Sequence, residues 1–188
     1  MTDREVVTYC APTLAGLKTA SLFTTLCVSE RETRSEICRM NRQLCDKGIR
    51  VIPLRCHKGR MLIYLYRPQM LQKDIKDENA VRLLKERGYR TDNTDVCVAQ
   101  LAARVRKEAE FPHEIGLFLG YPPEDVEGFI CHRDEDCKCV GCWRVYGDAD
   151  KARKQFDRYD RCTDIYCRQF SLGKTLQELT ADRYFRQS

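Results

Sequence analysis

Apolar positions recur at helical spacing early in the chain. Leu14, Leu22 and Leu26 mark one stripe, with Leu17 beside it. Pro12 suits the first turn of a helix, and Tyr9-Cys10-Ala11 leads into it. Lys18 lies within the same stripe, four residues after Leu14 and four before Leu22. A second helix fits 33–46, carried by Ile37, Met40 and Leu44, with Gly48 as its stop. The pattern then changes period. Residues 49–56 read as a strand, and Pro53 cannot donate to a ladder, which predicts an edge position or a bulge. His57-Lys58-Gly59 makes a turn. Residues 61–66 form a continuous apolar run, as in a strand buried on both faces. Together these segments predict a hairpin over 49–67.

Further helices follow at 69–76, 78–87 and 95–108, the last capped by Asn93 or Thr94. The apolar segment after Phe111-Pro112-His113-Glu114 leans to helix. Pro122-Pro123-Glu124-Asp125 is a strong helix start, with prolines in the first turn and acids at the positive end of the dipole. Residues 143–146 form a short strand suited to joining the hairpin. Asp148 caps a helix carrying Ala152, Phe156, Tyr159 and Cys162, and a last helix fits 174–182. The expected fold class is α+β: one mostly helical domain over 1–188, around a small antiparallel sheet made of hairpin 49–67 and strand 143–146.

Composition changes this picture in one respect. The chain has 188 residues, 32% charged and 43% hydrophobic, with a net charge of +5, all ordinary for a globular protein and too mild to indicate nucleic acid. No stretch approaches the roughly 18 unbroken apolar residues of a membrane span. The mixed-charge start, Met1-Thr2-Asp3-Arg4-Glu5, lacks a signal-peptide core, and a cytoplasmic location is expected. Cysteine is the anomaly, at twelve residues. In that compartment metal, redox or catalytic use outranks a disulfide framework. Cys27, Cys38, Cys45 and Cys97 sit among helical apolar residues and read as core, since a reduced cysteine packs as a small hydrophobe.

Four segments together carry a family resemblance. They are Cys10-Ala-Pro-Thr-Leu-Ala-Gly-Leu-Lys18, Leu65-Tyr-Arg-Pro68, Phe111-Pro-His-Glu-Ile-Gly-Leu-Phe-Leu-Gly-Tyr-Pro122 with Glu124-Asp-Val-Glu-Gly-Phe-Ile130, and Trp143-Arg-Val-Tyr146. Over about residues 8–162 the chain resembles a family of small proteins of anaerobic, clostridia-like bacteria, classed only as a domain of unknown function. The resemblance implies no activity, substrate or cofactor.

The residues themselves offer three chemistries. Cys10, just ahead of the expected helix start, would have its thiolate favoured by the dipole, with His113 as base and Glu114 beside it as the third catalytic candidate. The bland alternative is a buried cysteine and a histidine bonded to its own turn. Lys18, Tyr66 and Arg67 are candidate ligand-binding residues near the same pocket, and Lys18 would pair with Glu114 or else snorkel to water. Cys137-x-Cys139-x-x-Cys142, with Cys131 and His132 nearby, could ligate zinc or an iron–sulfur centre, although the spacing matches no standard finger and Asp134-Glu135-Asp136 equally suits a solvated loop. The leading expectation is a ligand-binding or redox-accessory protein with a small-molecule ligand and a metal-binding cysteine loop. The alternatives are a thiol enzyme, or a nucleic-acid-binding module using Arg50, Arg55, Lys58, Arg60 and Arg67 with Tyr64 and Tyr66 on the hairpin.

Overall fold

Thr2 sets where the first helix begins. Its hydroxyl accepts from the Glu5 amide at 3.2 Å, and the Glu5 carboxylate accepts from the Thr2 amide at 2.7 Å. This reciprocal cap starts α1 at Asp3 and the helix runs Asp3–Leu14. The computed structural model describes residues 1–107, 110–133 and 135–182. Pro12 therefore lies in the last turn of α1 and not in the first. The expected continuation of that helix to Leu26 is replaced by a strand, β1 (Ala20–Leu26). Phe23 and Thr25 point into the core while Thr24 and Leu26 face outward, a period of two that the leucine spacing masks.

The elements that follow are α2 (Glu30–Leu44), β2 (Arg50–His57), β3 (Arg60–Tyr66), α3 (Pro68–Asp74), α4 (Glu78–Glu86), α5 (Thr94–Lys107), α6 (Ile115–Phe118), α7 (Pro123–His132), β4 (Cys139–Val140), β5 (Arg144–Val145), α8 (Ala149–Ser171) and α9 (Leu176–Leu179). The fold is α+β and mostly helical, as the pattern predicts. Glu108, assigned by sequence to the end of α5, and Asp134 of the cysteine loop lie outside the described residues.

The chain divides into two compact units. The first comprises Met1–Gln69 with Arg161–Ser188, and the second Met70–Asp160. The first holds an antiparallel sheet in the order β1-β3-β2. The predicted hairpin is present, and β2 is both an edge strand and bulged between Pro53 and Arg55. Residues Ile63 to Tyr66 are buried on both faces of β3, as their unbroken apolar run requires. Val6, Cys10 and Leu14 of α1, Ile37, Met40 and Leu44 of α2, and Leu176 and Leu179 of α9 pack with one face of this sheet into a single apolar core. The third strand of the sheet is β1. Strand β5 instead pairs with β4 in a separate two-stranded ribbon in the second unit, Cys139 opposite Val145 and Val140 opposite Arg144. That corrects the placement of 143–146 beside the hairpin: a strand that short takes the partner three residues away, because closing a small loop costs least.

Candidate functional site

The second unit contains a cavity of about 360 Å³. Its position follows from three adjoining pieces of chain. Phe111 and His113 precede α6, which contributes Ile115 and Gly116. Helix α7 contributes Asp125, Val126 and Phe129. The ribbon contributes Trp143 and Arg144, and Tyr121 joins α6 to α7. Half of the lining residues carry aromatic rings. Tyr121 and Trp143 stack with centroids 4.8 Å apart, the His113 ring meets Phe129 edge-on at 5.0 Å, and Phe156 supports Trp143 from α8 at 4.6 Å. Gly116 is required by this packing, since a Cβ there would come within 2.7 Å of Val126.

Asp125 organises the site. It is buried at the third position of α7. Its Oδ2 accepts from Trp143 Nε1 at 2.7 Å, and its Oδ1 accepts from the amides of Tyr146 and Gly147 at 2.7 and 2.8 Å. One carboxylate thus fixes both the indole plane and the ribbon's return strand, and the positive end of α7 favours its charge. Gly128 leaves room for Tyr146, whose ring atoms would otherwise lie 2.3 Å from a Cβ. Sequence reasoning read Asp125 as a helix-start acid and Trp143 as part of a strand, and placed both in the segments that carry the family resemblance, without giving either a role at a site. The density of aromatics from Phe111 to Phe156 was the available signal.

Of the residues expected at a site, His113 lines this cavity. Glu114, its neighbour, is buried and turns to a different set of groups. The Tyr89 hydroxyl donates to it at 2.9 Å, and the guanidinium groups of Arg104 and Arg87 lie 3.5 and 3.8 Å away. Arg104 also stands over the Tyr89 ring at 4.5 Å. Burial, and then the neighbouring Glu114 charge, push the Tyr89 phenol up. Glu114 therefore finds counter-charges in Arg87 and Arg104 of its own unit.

Cys10, Lys18, Tyr66 and Arg67 belong to the first unit. Cys10 is fully buried in the interior of α1, because the Thr2 cap starts that helix eight residues before it. Burial pushes its thiol up to about 12; a Ser21 hydrogen bond and the Lys18 charge pull the other way and are outweighed. This reverses the lowered value expected of a nucleophile at a helix start. Lys18 sits half-buried in the bend between α1 and β1, since the helix that would have carried it ends at Leu14. Tyr66 is buried in β3 and stacks on Tyr64 at 4.8 Å. Two rings so buried cannot present faces to bases, which removes the stacking platform from the nucleic-acid reading.

Arg67 is a buried cation with an internal task. It donates to the carbonyls of Thr13 at 2.7 Å, Leu14 at 2.7 Å, Lys47 at 3.1 Å and Ala181 at 3.0 Å. Two of these carbonyls, Thr13 and Leu14, lie at the C-terminal end of α1, where a cation is favoured, and each also accepts from a backbone amide, of Gly16 and Ala181 respectively. Burial pulls its guanidinium down from the ordinary value. With four of five N–H groups committed to backbone, Arg67 acts as a structural tie.

Among the described residues no group of three or more His, Cys, Asp or Glu side chains is placed to hold an ion. Cys131 is exposed at the end of α7, Cys137 and Cys139 are half-buried at the start of the ribbon, and Cys142 is exposed in its turn.

Residues 6–180 match the family described as "Protein of unknown function (DUF3793)". That span is nearly the whole chain, and the protein belongs to this family. No curated protein and no solved structure matches it. Among the described residues no helix is long and apolar enough to cross a membrane.

Proposed function

We propose that the protein binds a small aromatic molecule in the cavity of its second unit. The observation that carries this reading is the cavity itself. Its volume of about 360 Å³ falls within the roughly 300–1,000 Å³ range of small-molecule sites. Its composition is also that of such sites, with many apolar and aromatic faces and few polar groups. Tyr121, Phe129 and Trp143 supply flat surfaces for a ring. Asp125 is occupied with three donors of the protein, so polar recognition falls to His113. Its ring can donate a hydrogen bond, which favours a ligand bearing an oxygen acceptor.

Trp143 is the only tryptophan of the chain, so its emission reports on the cavity without interference. Titration with a panel of non-fluorescent aromatic acids, such as benzoate and nitrobenzoates, should give a saturable emission change for at least one member. His113→Ala should weaken that binding by about tenfold, the equivalent of one hydrogen bond of about 1.4 kcal/mol. If no member of the panel perturbs either the emission or the Trp143 indole N–H resonance at millimolar concentration, the reading fails.

A further inference from the structure

In the first unit, the sheet order β1-β3-β2 leaves β1 and β2 at the two edges. These edges are built differently. Strand β2 carries Pro53, a bulge between Pro53 and Arg55, and the exposed Arg50 and His57. Proline, bulges and charge are the usual means of keeping an edge from pairing with another chain. Strand β1 has none of them. It holds no proline and no charged residue, and its register with β3 runs without a shift from Ala20 to Leu26. The period of two fixes which of its backbone groups face outward. The Thr19 carbonyl accepts from the Arg67 amide at 2.9 Å, and the Cys27 amide donates to Gly59 at 2.8 Å, so the odd-numbered residues turn towards β3. The N–H and C=O groups of Leu22, Thr24 and Leu26 therefore point away from the sheet. Among the described residues no backbone group bonds to them on that side. Ala20 is fully buried, whereas Leu22 is half-buried and Thr24 and Leu26 are exposed, so the edge is open from Leu22 onward.

We propose that this edge pairs with β1 of a second copy of the chain, antiparallel about a two-fold axis at Thr24. The order of side chains supports self-pairing. On its outward face β1 reads Leu22, Thr24, Leu26, the same in both directions. Centred on Thr24, the strand sets Leu22 opposite the partner's Leu26, and Thr24 opposite the partner's Thr24. Each such pair exchanges two N–H···O=C bonds, because all three residues turn both groups outward. Leu26 is 67% exposed in the single chain, and each copy covers it with the other's Leu22. On the opposite face Phe23 meets the partner's Thr25. Tyr9 stacks on Phe23 at 5.7 Å and is itself 56% exposed, which adds a ring beside the same seam. Arg60 donates to the Thr24 hydroxyl at 2.9 Å and to its carbonyl at 3.4 Å. A carbonyl oxygen has two lone pairs, so one is left for the partner's amide.

Charge and symmetry favour this occupant. The chain as a whole carries a net charge of +5, yet β1 brings no charge against its own copy. Pairing β1 with β1 is isologous and closes at two copies. Pairing β1 with the partner's β2 would run on without closing, and would meet Pro53 and the bulge. The two-fold assembly joins both sheets into one, in the order β2-β3-β1-β1-β3-β2.

The test uses the full chain under reducing conditions, so that none of its twelve thiols links copies. Sedimentation equilibrium over a concentration series should show monomer and dimer in exchange. Thr24→Pro removes the central N–H of each copy and spares the β1–β3 ladder, which does not use it. It should weaken dimerisation about thirtyfold, the equivalent of two hydrogen bonds. Thr24→Lys sets two like charges directly opposite each other and should weaken it at least as much. Because either substitution can loosen β1 itself, amide exchange of the parent chain is the second measurement. The N–H groups of Leu22, Thr24 and Leu26 should be protected at high concentration and exchange freely on dilution, while those of Phe23 and Thr25 stay protected throughout. A parent chain that remains monomeric at millimolar concentration overturns the proposal. So does a dimer that both folded variants keep, or one in which the three amides exchange alike at high and low concentration.

Discussion

Arg67 and Asp125 are buried charges in different units, and each is satisfied without a salt bridge. Arg67 gives its N–H groups to four backbone carbonyls, two of them at the C-terminal end of α1. Asp125 takes two backbone amides and an indole N–H near the N-terminal end of α7. The signs match the two helix poles, cation at the negative end and anion at the positive end. The surroundings differ. Arg67 joins the end of α1, the turn after α2 and the segment after α9, beside a core with mainly aliphatic filling. Asp125 has one side on a cavity walled by aromatic rings. Flexible aliphatic chains interdigitate and close space, whereas rigid rings held edge-on and stacked leave room between them. The first charge therefore secures a packed unit, and the second shapes an opening.

The largest consequence should fall on Arg67. Arg67→Met keeps much of the stem's volume but removes hydrogen bonds to four carbonyls, of which Thr13 and Leu14 each keep one backbone donor. The expected loss is about 3–5 kcal/mol, from four hydrogen bonds of roughly 1 kcal/mol each. A urea unfolding curve followed by circular dichroism measures it. A loss below about 1 kcal/mol would mean that water replaces the guanidinium, and the contrast with Asp125 would collapse.

Asp125→Asn should cost less and change shape more. Its single carbonyl oxygen can still face the Tyr146 and Gly147 amides. Its new NH2 then confronts Trp143 Nε1–H, donor against donor, at a position 2.7 Å away. We expect a loss of about 1–3 kcal/mol. The indole should also leave its present plane, with a shifted Trp143 emission and weakened ligand response. Unchanged emission would show that Tyr121 and Phe156, not the carboxylate, hold the ring.

The two units also differ in how far they could be read from sequence. The hairpin was legible because its signals are local: an unbroken apolar run, a Lys58-Gly59 turn, and a proline that forces an edge or a bulge. Strand β1 was not, because Leu14, Leu22 and Leu26 fall at helical spacing by coincidence, and a seven-residue run carries too few positions to settle its period. The Thr2-x-x-Glu5 capping box was present in the sequence and would have moved the helix start to Asp3. With it, Cys10 reads as an interior position and loses its claim to reactivity. In the second unit the local starts at Pro123 and Ala149 were readable. The cavity was not, since its walls come from several separate elements spread over residues 111–144 and only His113 stood out as chemistry. The resemblance over the Phe111–Pro122 segment pointed at one wall of the cavity without showing that it was one.

The smallest effect is expected at Glu5, which occupies in α1 the position that Asp125 occupies in α7, the third of the helix. Glu5 differs in being partly exposed. Burial pushes its carboxyl up, but the Thr2 amide and the Thr25 and Thr2 hydroxyls outweigh it, and the group ends below its ordinary value. A carboxyl lowered on folding contributes stability above its unfolded pKa and loses it as pH falls through the folded one. Glu5→Gln retains a side-chain oxygen for the Thr2 amide and removes only the charge, so the loss at neutral pH should be about 0.3–1 kcal/mol, reduced further by salt. The difference between parent and variant should shrink towards zero as the pH drops through the carboxylate range. Thermal unfolding of both proteins at matched ionic strength from neutral to acid pH measures this directly. A difference that stays constant with pH would assign the effect to hydrogen-bond geometry instead of charge. The polar match between helix ends and buried charges would then rest on Arg67 and Asp125 alone.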